Sequence, residues 1–306
     1  MPYILTRDGD EIMSPKNDFA FRLLFSDPQC KDVLIDLLNT IIPENIQDLH
    51  LLDTHLLCSA TQREGILDIR ARTDAKVQIN VEMQLHNLPA MDKRTLYYWA
   101  IMYIDQFLPG QKYHELNKTI TINLLDYYLL PVEDLHTCFH VHDAKHDIRL
   151  SDALEIHFLE LPKVHRYGHS YENKDLIYWL KFLNARNEEE LYMAAETKPP
   201  IKKAFETLKA MSRNEENKRQ YEAREIFLSD QATRVFEAKE EGRVEGIEEG
   251  RKGGIEEGIE KGKEEERITV ARNLISLCMD DEFIMKATGL NKLALDSLKN
   301  NRNNNP

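Results

Sequence analysis

Cysteine is scarce and unpaired in this chain. The four cysteines, Cys30, Cys58, Cys138 and Cys278, lie far apart, with no short spacing between any two of them. This pattern is typical of a reducing compartment and argues against a disulfide framework or a zinc site made of thiolates. The chain also lacks a run of about 18 consecutive apolar residues and a basic start followed by an apolar stretch. We therefore expect no membrane span, no signal peptide and a cytoplasmic protein.

Positive charge is in deficit. The formal net charge is −13, which counts against binding to nucleic acid, because phosphate binding is driven largely by Lys and Arg. The deficit is uneven, since residues 241–267 alone hold ten Glu against six Lys or Arg. Elsewhere a group of basic residues lies close together along the chain: Arg63, Arg70, Arg72, Lys76, Lys93 and Arg94. The sequence does not settle whether these side chains share a surface.

Two segments with strictly alternating apolar and polar residues predict a β-hairpin. In residues 65–72, Leu67, Ile69 and Ala71 would share the inner face, with Asp68 on the other. In residues 76–85, the apolar residues would likewise point inward, and the polar ones outward to solvent. The outward set of the second strand is Gln78, Asn80, Glu82 and Gln84.

The turn of this hairpin determines which polar residues face each other. A three-residue loop at Asp74–Lys76 would pair Thr73 with Val77, and the same register pairs Asp68 with Glu82. Residues directly opposite each other have Cβ atoms about 5 Å apart. Two carboxylates at that distance repel unless a cation lies between them, and Mg²⁺ prefers carboxylates, water and phosphate oxygens. From the pattern alone, an ordinary surface with Arg70 or Arg72 as ion partners remains open.

The order of the other elements predicts a layered fold. A helix follows Ser14-Pro15, capped by Ser14 or Asp18, and a second runs from Asp27-Pro28 to before Pro43. A strand within residues 50–61 leads into the hairpin, and a long helix covers residues 91–107. Three more strands are expected at residues 119–126, 138–142 and 154–161, and every later pattern is helical. This order predicts an α/β or α+β core with central strands.

Glycine is concentrated in one segment. Six glycines recur at every fourth position between Gly242 and Gly262, in a run of Glu and Gly tetrads. Each helical glycine costs about 1 kcal/mol relative to alanine. A solvated spacer and a long helix that pairs with a second copy are therefore equally open. We expect three regions: a core over 1–212, the tetrad segment over 213–266 and a small helical segment over 267–306.

Several phrases in the chain resemble one nuclease family. Asp68 and Glu82-x-Gln84 on consecutive strands, between two helices, look like the PD-(D/E)XK nuclease core. The similarity extends to the transposase-like branch of that superfamily, the bacterial recombination-promoting nucleases, over about residues 12–265. The phrases that carry it are Lys16–Phe21, Ile66–Ala71, Ile79–Gln84, Lys93–Trp99 and Leu154–Pro162. The resemblance implies a restriction-endonuclease-like α/β core, with a central mixed sheet flanked by helices and a C-terminal helical extension.

The resemblance also implies roles for individual residues. Asp68, Glu82 and the main-chain carbonyl of Met83 would ligate Mg²⁺, or Mn²⁺ in its place. Gln84 takes the usual lysine position, where it can orient water or phosphate but cannot supply positive charge. Three accessory residues are implied: Asp18, suited equally to a helix cap or to the metal site, and Arg94 with Tyr98, which would contact the phosphate backbone.

The resulting functional prediction is a Mg²⁺-dependent DNA endonuclease linked to recombination or mobile elements, with self-association through the Glu/Gly-rich segment. Two alternatives remain: a non-catalytic DNA-binding or oligomeric interaction module on the same fold, and an RNA- or defence-related nuclease. His136, His140, His142 and His146 also invite a zinc interpretation. Because no third ligand falls in register with His140 and His142, the pattern favours a structural role for them.

Overall fold

The computed structural model describes residues 3–58, 63–87, 90–107 and 110–300. It divides into two compact units, Met1–Asp230 and Gln231–Pro306. The strands are β1 Tyr3–Leu5, β2 Glu11–Met13, β3 Leu49–Leu51, β4 His55–Cys58, β5 Arg63–Ile66, β6 Ile69–Thr73, β7 Gln78–Gln84, β8 Thr119–Leu125, β9 His136–Phe139, β10 His142–Asp143, β11 Ile148–Arg149 and β12 Leu154–Glu160. The α-helices are α1 Asp18–Phe25, α2 Lys31–Ile41, α3 Met91–Asp105, α4 Lys163–Tyr167, α5 Lys174–Leu183, α6 Glu188–Ala195, α7 Pro199–Ser212, α8 Glu215–Ser276, α9 Asp281–Thr288 and α10 Lys292–Asn300.

A six-stranded mixed sheet forms the centre of the first unit, in the order β3-β6-β7-β8-β12-β9. The three inner strands β7, β8 and β12 are parallel, and β6 and β9 run antiparallel to their neighbours. Inner parallel strands are buried on both faces, and all seven residues of β8 and six of the seven in β12 are buried. The predicted α/β core with a central mixed sheet and flanking helices is confirmed.

One face of this sheet supports the main hydrophobic core. Ile79, Val81 and Met83 of β7 and Ile120, Ile122 and Leu124 of β8 lie on that face. Helices α1, α2, α5 and α7 supply most of the opposing side chains, among them the fully buried Phe21, Phe25 and Trp179. The spacing of Val33, Leu34, Leu37, Leu38 and Ile41 along α2 gives it an apolar stripe that is buried in this core, where α2 contacts α1, α5 and α7.

The other face of the sheet is polar, and it is buried rather than exposed to solvent. Gln78, Asn80, Glu82 and Gln84 of β7 are each less than a tenth exposed. Helix α3 covers this face: the Trp99 indole Nε1–H donates to the main-chain oxygen of Thr119, and Asn123 Nδ2 donates to Thr95 Oγ1. The prediction that these side chains point to solvent is therefore wrong. Strict alternation marks two different faces, but it does not report what covers the polar one.

Leu67 also departs from the prediction. It packs with Ile101 and Met102 of α3, whereas Ile69 and Ala71 belong to the main core. Strand β6 begins only at Ile69, and the main chain bends at Asp68. The alternation that would place Leu67 with Ile69 therefore stops at the start of the strand.

The N-terminal segment contains a hairpin that the sequence did not predict, formed by β1 and β2. Helix α1 begins at Asp18, and its N-cap is Asn17, whose Oδ1 accepts hydrogen bonds from the N–H groups of Phe19 and Ala20. The predicted cap at Ser14 or Asp18 is wrong. The part of α8 up to Asp230 belongs to the first unit, where the Tyr221 side chain is fully buried.

In the second unit, the Glu/Gly tetrads lie within α8, and none of the six repeating glycines has another group within 4 Å of where a Cβ atom would lie. A small apolar cluster joins the end of α8 to α9 and α10 through Ala271, Ile284, Leu290 and Leu295. Gly289 ends α9 in the left-handed conformation, with φ of 70°. Among the described residues, no helix has the length and apolar character needed to cross a membrane.

Candidate active site

The β6–β7 hairpin places two carboxylates at one end of the polar face. Its register pairs Ile69 with Val81 and Arg72 with Gln78, as predicted. The Thr73 N–H donates to the Val77 oxygen at 3.0 Å, and Lys76 closes the three-residue loop with φ of 65°. Continued by one residue, this register sets Asp68 opposite Glu82. The predicted hairpin register is confirmed over Ile69–Arg72.

Asp68 lies just before β6 and is held by the main chain of the opposing strand. Its Oδ2 accepts a hydrogen bond from the Met83 N–H at 2.8 Å. Burial and, after it, the nearby charge of Asp18 raise the pKa of Asp68 to about 6, against the effect of that hydrogen bond. Met83 therefore meets Asp68 through its amide N–H, and its side chain packs in the core.

Glu82 is the more deeply buried of the two acids, with 3% of its surface exposed. Asn80 Nδ2 donates to its Oε1, and Gln84 Nε2 donates to its Oε2, both at 3.1 Å. Burial, followed by repulsion from Asp68, raises the pKa of Glu82 to about 8, although Asn80, Arg94 and Gln84 act in the opposite direction. Glu82 is therefore fixed in position while its charged form is disfavoured.

This pair of acids suits a hard divalent cation. Two carboxylates with raised pKa values carry an unfavourable buried charge once both are ionised, and a cation between them would offset it. The ligand atoms are oxygens only, which is the donor set of Mg²⁺ or Mn²⁺ rather than of a softer metal. The surface alternative for these acids does not describe the site, because Arg70 is itself buried and bonds to Asp105 at 2.5 Å and to Gln78 at 2.9 Å.

Gln84 lies at the end of β7, with its side chain directed at Glu82. Its main-chain oxygen accepts the Asp126 N–H at 2.9 Å, and the Asp126 carboxylate in turn binds the Lys16 ammonium at 2.7 Å. A lysine from the segment before α1 therefore reaches the strand end that carries Gln84.

Asp18 is paired with an arginine that sequence reasoning missed. The Arg224 guanidinium, on α8, contacts both carboxylate oxygens of Asp18, with Nε 2.9 Å from each. The Asn17 amide also donates to Glu225 of the same helix, at 2.5 Å. Arg224 lowers the pKa of Asp68, so its charge is felt at the carboxylate pair. No local pattern could indicate this contact, because 206 residues separate its partners.

The predicted accessory residues of α3 lie beside the same pair. The Arg94 guanidinium carbon is 5.3 Å from the centre of the Tyr98 ring, a cation–π distance. Arg94 lowers the pKa of Glu82, and burial raises the pKa of the half-buried Tyr98. The structure thus brings together Asp68, Glu82, Gln84, Asp18, Arg94 and Tyr98. In the basic group predicted from the sequence, Arg70 is neutralised by Asp105, Arg72 and Lys76 are exposed, and the Arg63 side chain is outside the described part.

A mixed sheet has helices on both faces, the partly buried Asp68 just before one strand and the buried Glu82 on the antiparallel neighbour. These features define an α/β protein of the PD-(D/E)XK nuclease type. The chain belongs to the PD-(D/E)XK nuclease family transposases, whose family model matches residues 15–238. That range includes both Lys16 and Arg224. Membership indicates a nuclease- or transposase-related function. No curated protein and no solved structure matches the chain.

Proposed function

We propose that this protein is a metal-dependent endonuclease that hydrolyses phosphodiester bonds in DNA, in the context of recombination or mobile elements. The observation that carries the proposal is the pairing of the partly buried Asp68 with the buried Glu82, each with a raised pKa, within the nuclease-family range. Buried acids with perturbed pKa values concentrate at functional sites.

The chemistry assigns a task to each residue. Asp68 and Glu82 would hold Mg²⁺, or Mn²⁺, with the Met83 carbonyl as a further ligand. When bound, the cation supplies a water of lowered pKa and stabilises charge on the scissile phosphate. Asn80 and Gln84 hold the Glu82 carboxylate in one orientation through its two oxygens. Gln84 would also orient a water or a phosphate oxygen by hydrogen bonding, without donating a proton.

The positive groups beside the pair would bind the nucleic-acid backbone. Arg94 and Tyr98 lie on α3, where the Arg94 charge lowers the pKa of Glu82, and the two side chains would offer a cation and a hydroxyl to a phosphate. Asp18 would act on the metal or its water shell while Arg224 balances its charge. Gln84 occupies the position where the family usually has a lysine, and its amide cannot donate a proton. In this proposal, proton transfer therefore involves solvent.

Plasmid cleavage tests the proposal. Supercoiled DNA is incubated with the full chain in Mg²⁺, in Mn²⁺ and in chelator, and Asp68→Ala is compared with Asp74→Ala. Asp74 is an exposed acid in the turn of the same hairpin, so its loss controls for charge and for local fold. We expect metal-dependent nicking by the wild type and Asp74→Ala, and a loss of about 100-fold or more in Asp68→Ala, since each would-be ligand contributes to transition-state charge stabilisation. Equal cleavage by Asp68→Ala would overturn the assignment.

A second candidate function is DNA binding without cleavage. The observation in its favour is that both Glu82 oxygens already accept amide hydrogen bonds and that Asp18 is held by Arg224. DNA binding that survives in both variants, with no Mg²⁺ uptake in calorimetry and no nicking, would support this function. Parallel cleavage of RNA and DNA distinguishes the substrate.

A further inference from the structure

A second group of side chains of types that bind metals lies on β12, on β9 and at the residue that follows β9, away from the carboxylate pair. The register pairs Cys138 with His157 directly, and one step further it sets His140 opposite Glu155. Residues two apart on a strand share a face, so Cys138 and His140 lie on the same side as His157 and Glu155. The four side chains therefore occupy the corners of one cross-strand square.

The distances within this group suit one small ion. Cys138 Sγ is 3.3 Å from His140 Nε2 and 3.7 Å from His157 Nε2. Zn–S bonds of about 2.3 Å and Zn–N bonds of about 2.0–2.1 Å separate S and N ligands by about 3.5 Å in a tetrahedral site. His157 Nε2 is 2.9 Å from Glu155 Oε1, and one ligand atom each from Cys138, Glu155 and His157 lie within 4.8 Å of one another.

The surrounding residues hold these ligands in orientation. His157 Nδ1 lies 2.8 Å from His136 Nε2, so His136 would accept the proton on Nδ1 when a bound ion replaces the proton that Nε2 shares with Glu155. The other oxygen of Glu155, Oε2, is bound by Lys118 at 2.5 Å, with Arg149 at 3.7 Å. Glu155 and His157 are each 2% exposed. Such outer contacts are typical of metal ligands.

Without a cation, the Cys138 sulfur makes only weak hydrogen bonds. A thiol has one weak donor, yet two imidazole nitrogens face the Cys138 sulfur. His140 Nδ1 is buried and has no hydrogen-bond partner among the residues that the structure describes.

The cluster is separate from the carboxylate pair. In β12, His157 lies on the face of the main core, and Phe158 points to the other face, level with Asn123 and Glu82. The exposed histidines further on do not join it, because His142 bonds to Asp147 and His146 to Asp143. The zinc set considered from the sequence, with His140 and His142 together, is therefore replaced by a set that spans two strands.

We propose that Cys138, His140, His157 and Glu155 form a structural Zn²⁺ site that ties the edge strand β9 to β12. Zinc is the ion indicated, since thiolate and imidazole ligands select it over Mg²⁺. Binding forms an S–Zn bond, and the thiol proton passes to solvent. With one thiolate and one carboxylate, the bound ion would leave the group neutral. This inference does not depend on the proposed nuclease function.

Cobalt substitution tests the site directly. The full chain is stripped with chelator, saturated with Mg²⁺ to occupy oxygen-only sites, and titrated with Co²⁺ and then Zn²⁺. We expect one equivalent of Co²⁺ with a thiolate-to-cobalt charge-transfer band, which Zn²⁺ abolishes as it displaces the Co²⁺. Cys138→Ser should lose the band, and Cys278→Ser should retain it, since Cys278 is a free exposed cysteine in the second unit.

Two further variants keep the test independent of folding defects. His140→Ala, at the partly exposed corner of the square, should weaken Co²⁺ affinity by at least about tenfold while its circular dichroism matches the wild type. Asp68→Ala should bind Co²⁺ with an unchanged charge-transfer band. A wild-type protein with no such band, or a band that persists in Cys138→Ser or is lost in Asp68→Ala, would overturn the proposal.

Discussion

At the residue scale, the pair of Asp18 and Arg224 connects α8 to the candidate site. The Asp18 side chain is 12% exposed and that of Arg224 is 38% exposed, with contacts from Nε to both carboxylate oxygens. Two-point Arg–carboxylate contacts are stronger than ordinary surface ion pairs, because geometry and charge act together. Arg224 also lies over the Phe227 ring, 5.0 Å from its centre. Its replacement should therefore affect both stability and the site.

We predict that Arg224→Gln lowers the free energy of unfolding by about 1–2 kcal/mol, because Asp18 keeps a partly buried charge without its partner. Arg224→Lys should recover only part of this loss, since an ammonium cannot make the two-point contact. Denaturant unfolding measures both. The matched control is Arg219→Gln, on an exposed turn of the same helix, where Arg219 bonds only to Glu216 among the described residues. A change as large in the control would contradict the specific role of Arg224.

The residues of the site differ in how far the sequence could predict them. Asp68, Glu82 and Gln84 lie on one hairpin, so alternation and a short loop were enough to bring them together. Asn80 was assigned to the correct face, but its bond to Glu82 depends on the burial of that face under α3. Arg224 and the Cys138 cluster depend on contacts between distant segments. Local periodicity contains no information about such contacts.

At the scale of elements, too, local periodicity predicts some features, and contacts between distant segments determine the others. The strands and helices with strong periodicity occur close to their expected bounds, such as β8 and α3. The short β1–β2 hairpin was missed because three-residue strands contain too little alternation to detect. The polar face of β7 was assigned to solvent because its residues are those of an exposed strand. Only the packing of α3 against the sheet explains why a strand with four polar side chains is buried.

The tetrad glycines of α8 give an element-scale prediction. Gly250 and Gly254 lie within the helix, with open space where a Cβ atom would lie. The double variant Gly250→Ala/Gly254→Ala should therefore increase helicity and stabilise the segment by about 0.5–1 kcal/mol per site. Thermal melts followed by far-ultraviolet circular dichroism measure the effect. Gly289→Ala is the control with the opposite expected sign. It should destabilise the segment, because φ of 70° at Gly289 disfavours a side chain.

The same variants address self-association, which we propose for this segment. If a helix of a second copy approaches the glycines closely, added methyl groups would clash, and the mass measured by light scattering should fall in the double variant. An unchanged mass together with greater helicity would show that the glycines do not mediate contacts between copies. A fall in helicity would contradict the stability prediction itself.

At the scale of the whole molecule, a few groups with shifted pKa values determine how stability depends on pH. Each of them acts in a different pH range. Most perturbed carboxyl groups have lowered pKa values, such as Glu155 at about 2, where hydrogen bonds from His157 and Lys118 outweigh burial. Their stabilising contribution is complete above about pH 4.5 and is lost only in acid. His136, whose pKa burial lowers to about 4, adds stability as the pH rises from about 4 to its ordinary value of 6.5. Above about pH 6.5, the titration of Glu82, whose pKa is raised, contributes most to the change of stability with pH.

We predict that, without a divalent metal, thermal stability falls as the pH rises from about 6.5 to about 8.5. Asp68 and Glu82 have raised folded-state pKa values of about 6 and about 8. A raised folded-state pKa contributes stability below the unfolded value, and this contribution is lost as the pH rises through the folded one. Mg²⁺ binds the ionised pair, so the increase in Tm that it causes should grow over the same range.

Differential scanning calorimetry across this pH range, with and without Mg²⁺, measures both slopes. Glu82→Gln removes the dominant titrating group, so its metal-free Tm should become nearly independent of pH between about 6.5 and 8.5, and its response to Mg²⁺ should decrease. Asp74→Asn, which changes an exposed acid of the same hairpin, should follow the wild type. A metal-free Tm that rises through this window would mean that Asp68 and Glu82 are not protonated in the metal-free protein. A Mg²⁺ effect that is the same at both ends of the window would mean that this pair is not the site of the cation. Because the slope depends on proton uptake rather than on catalysis, the result holds whether or not Gln84 allows efficient cleavage.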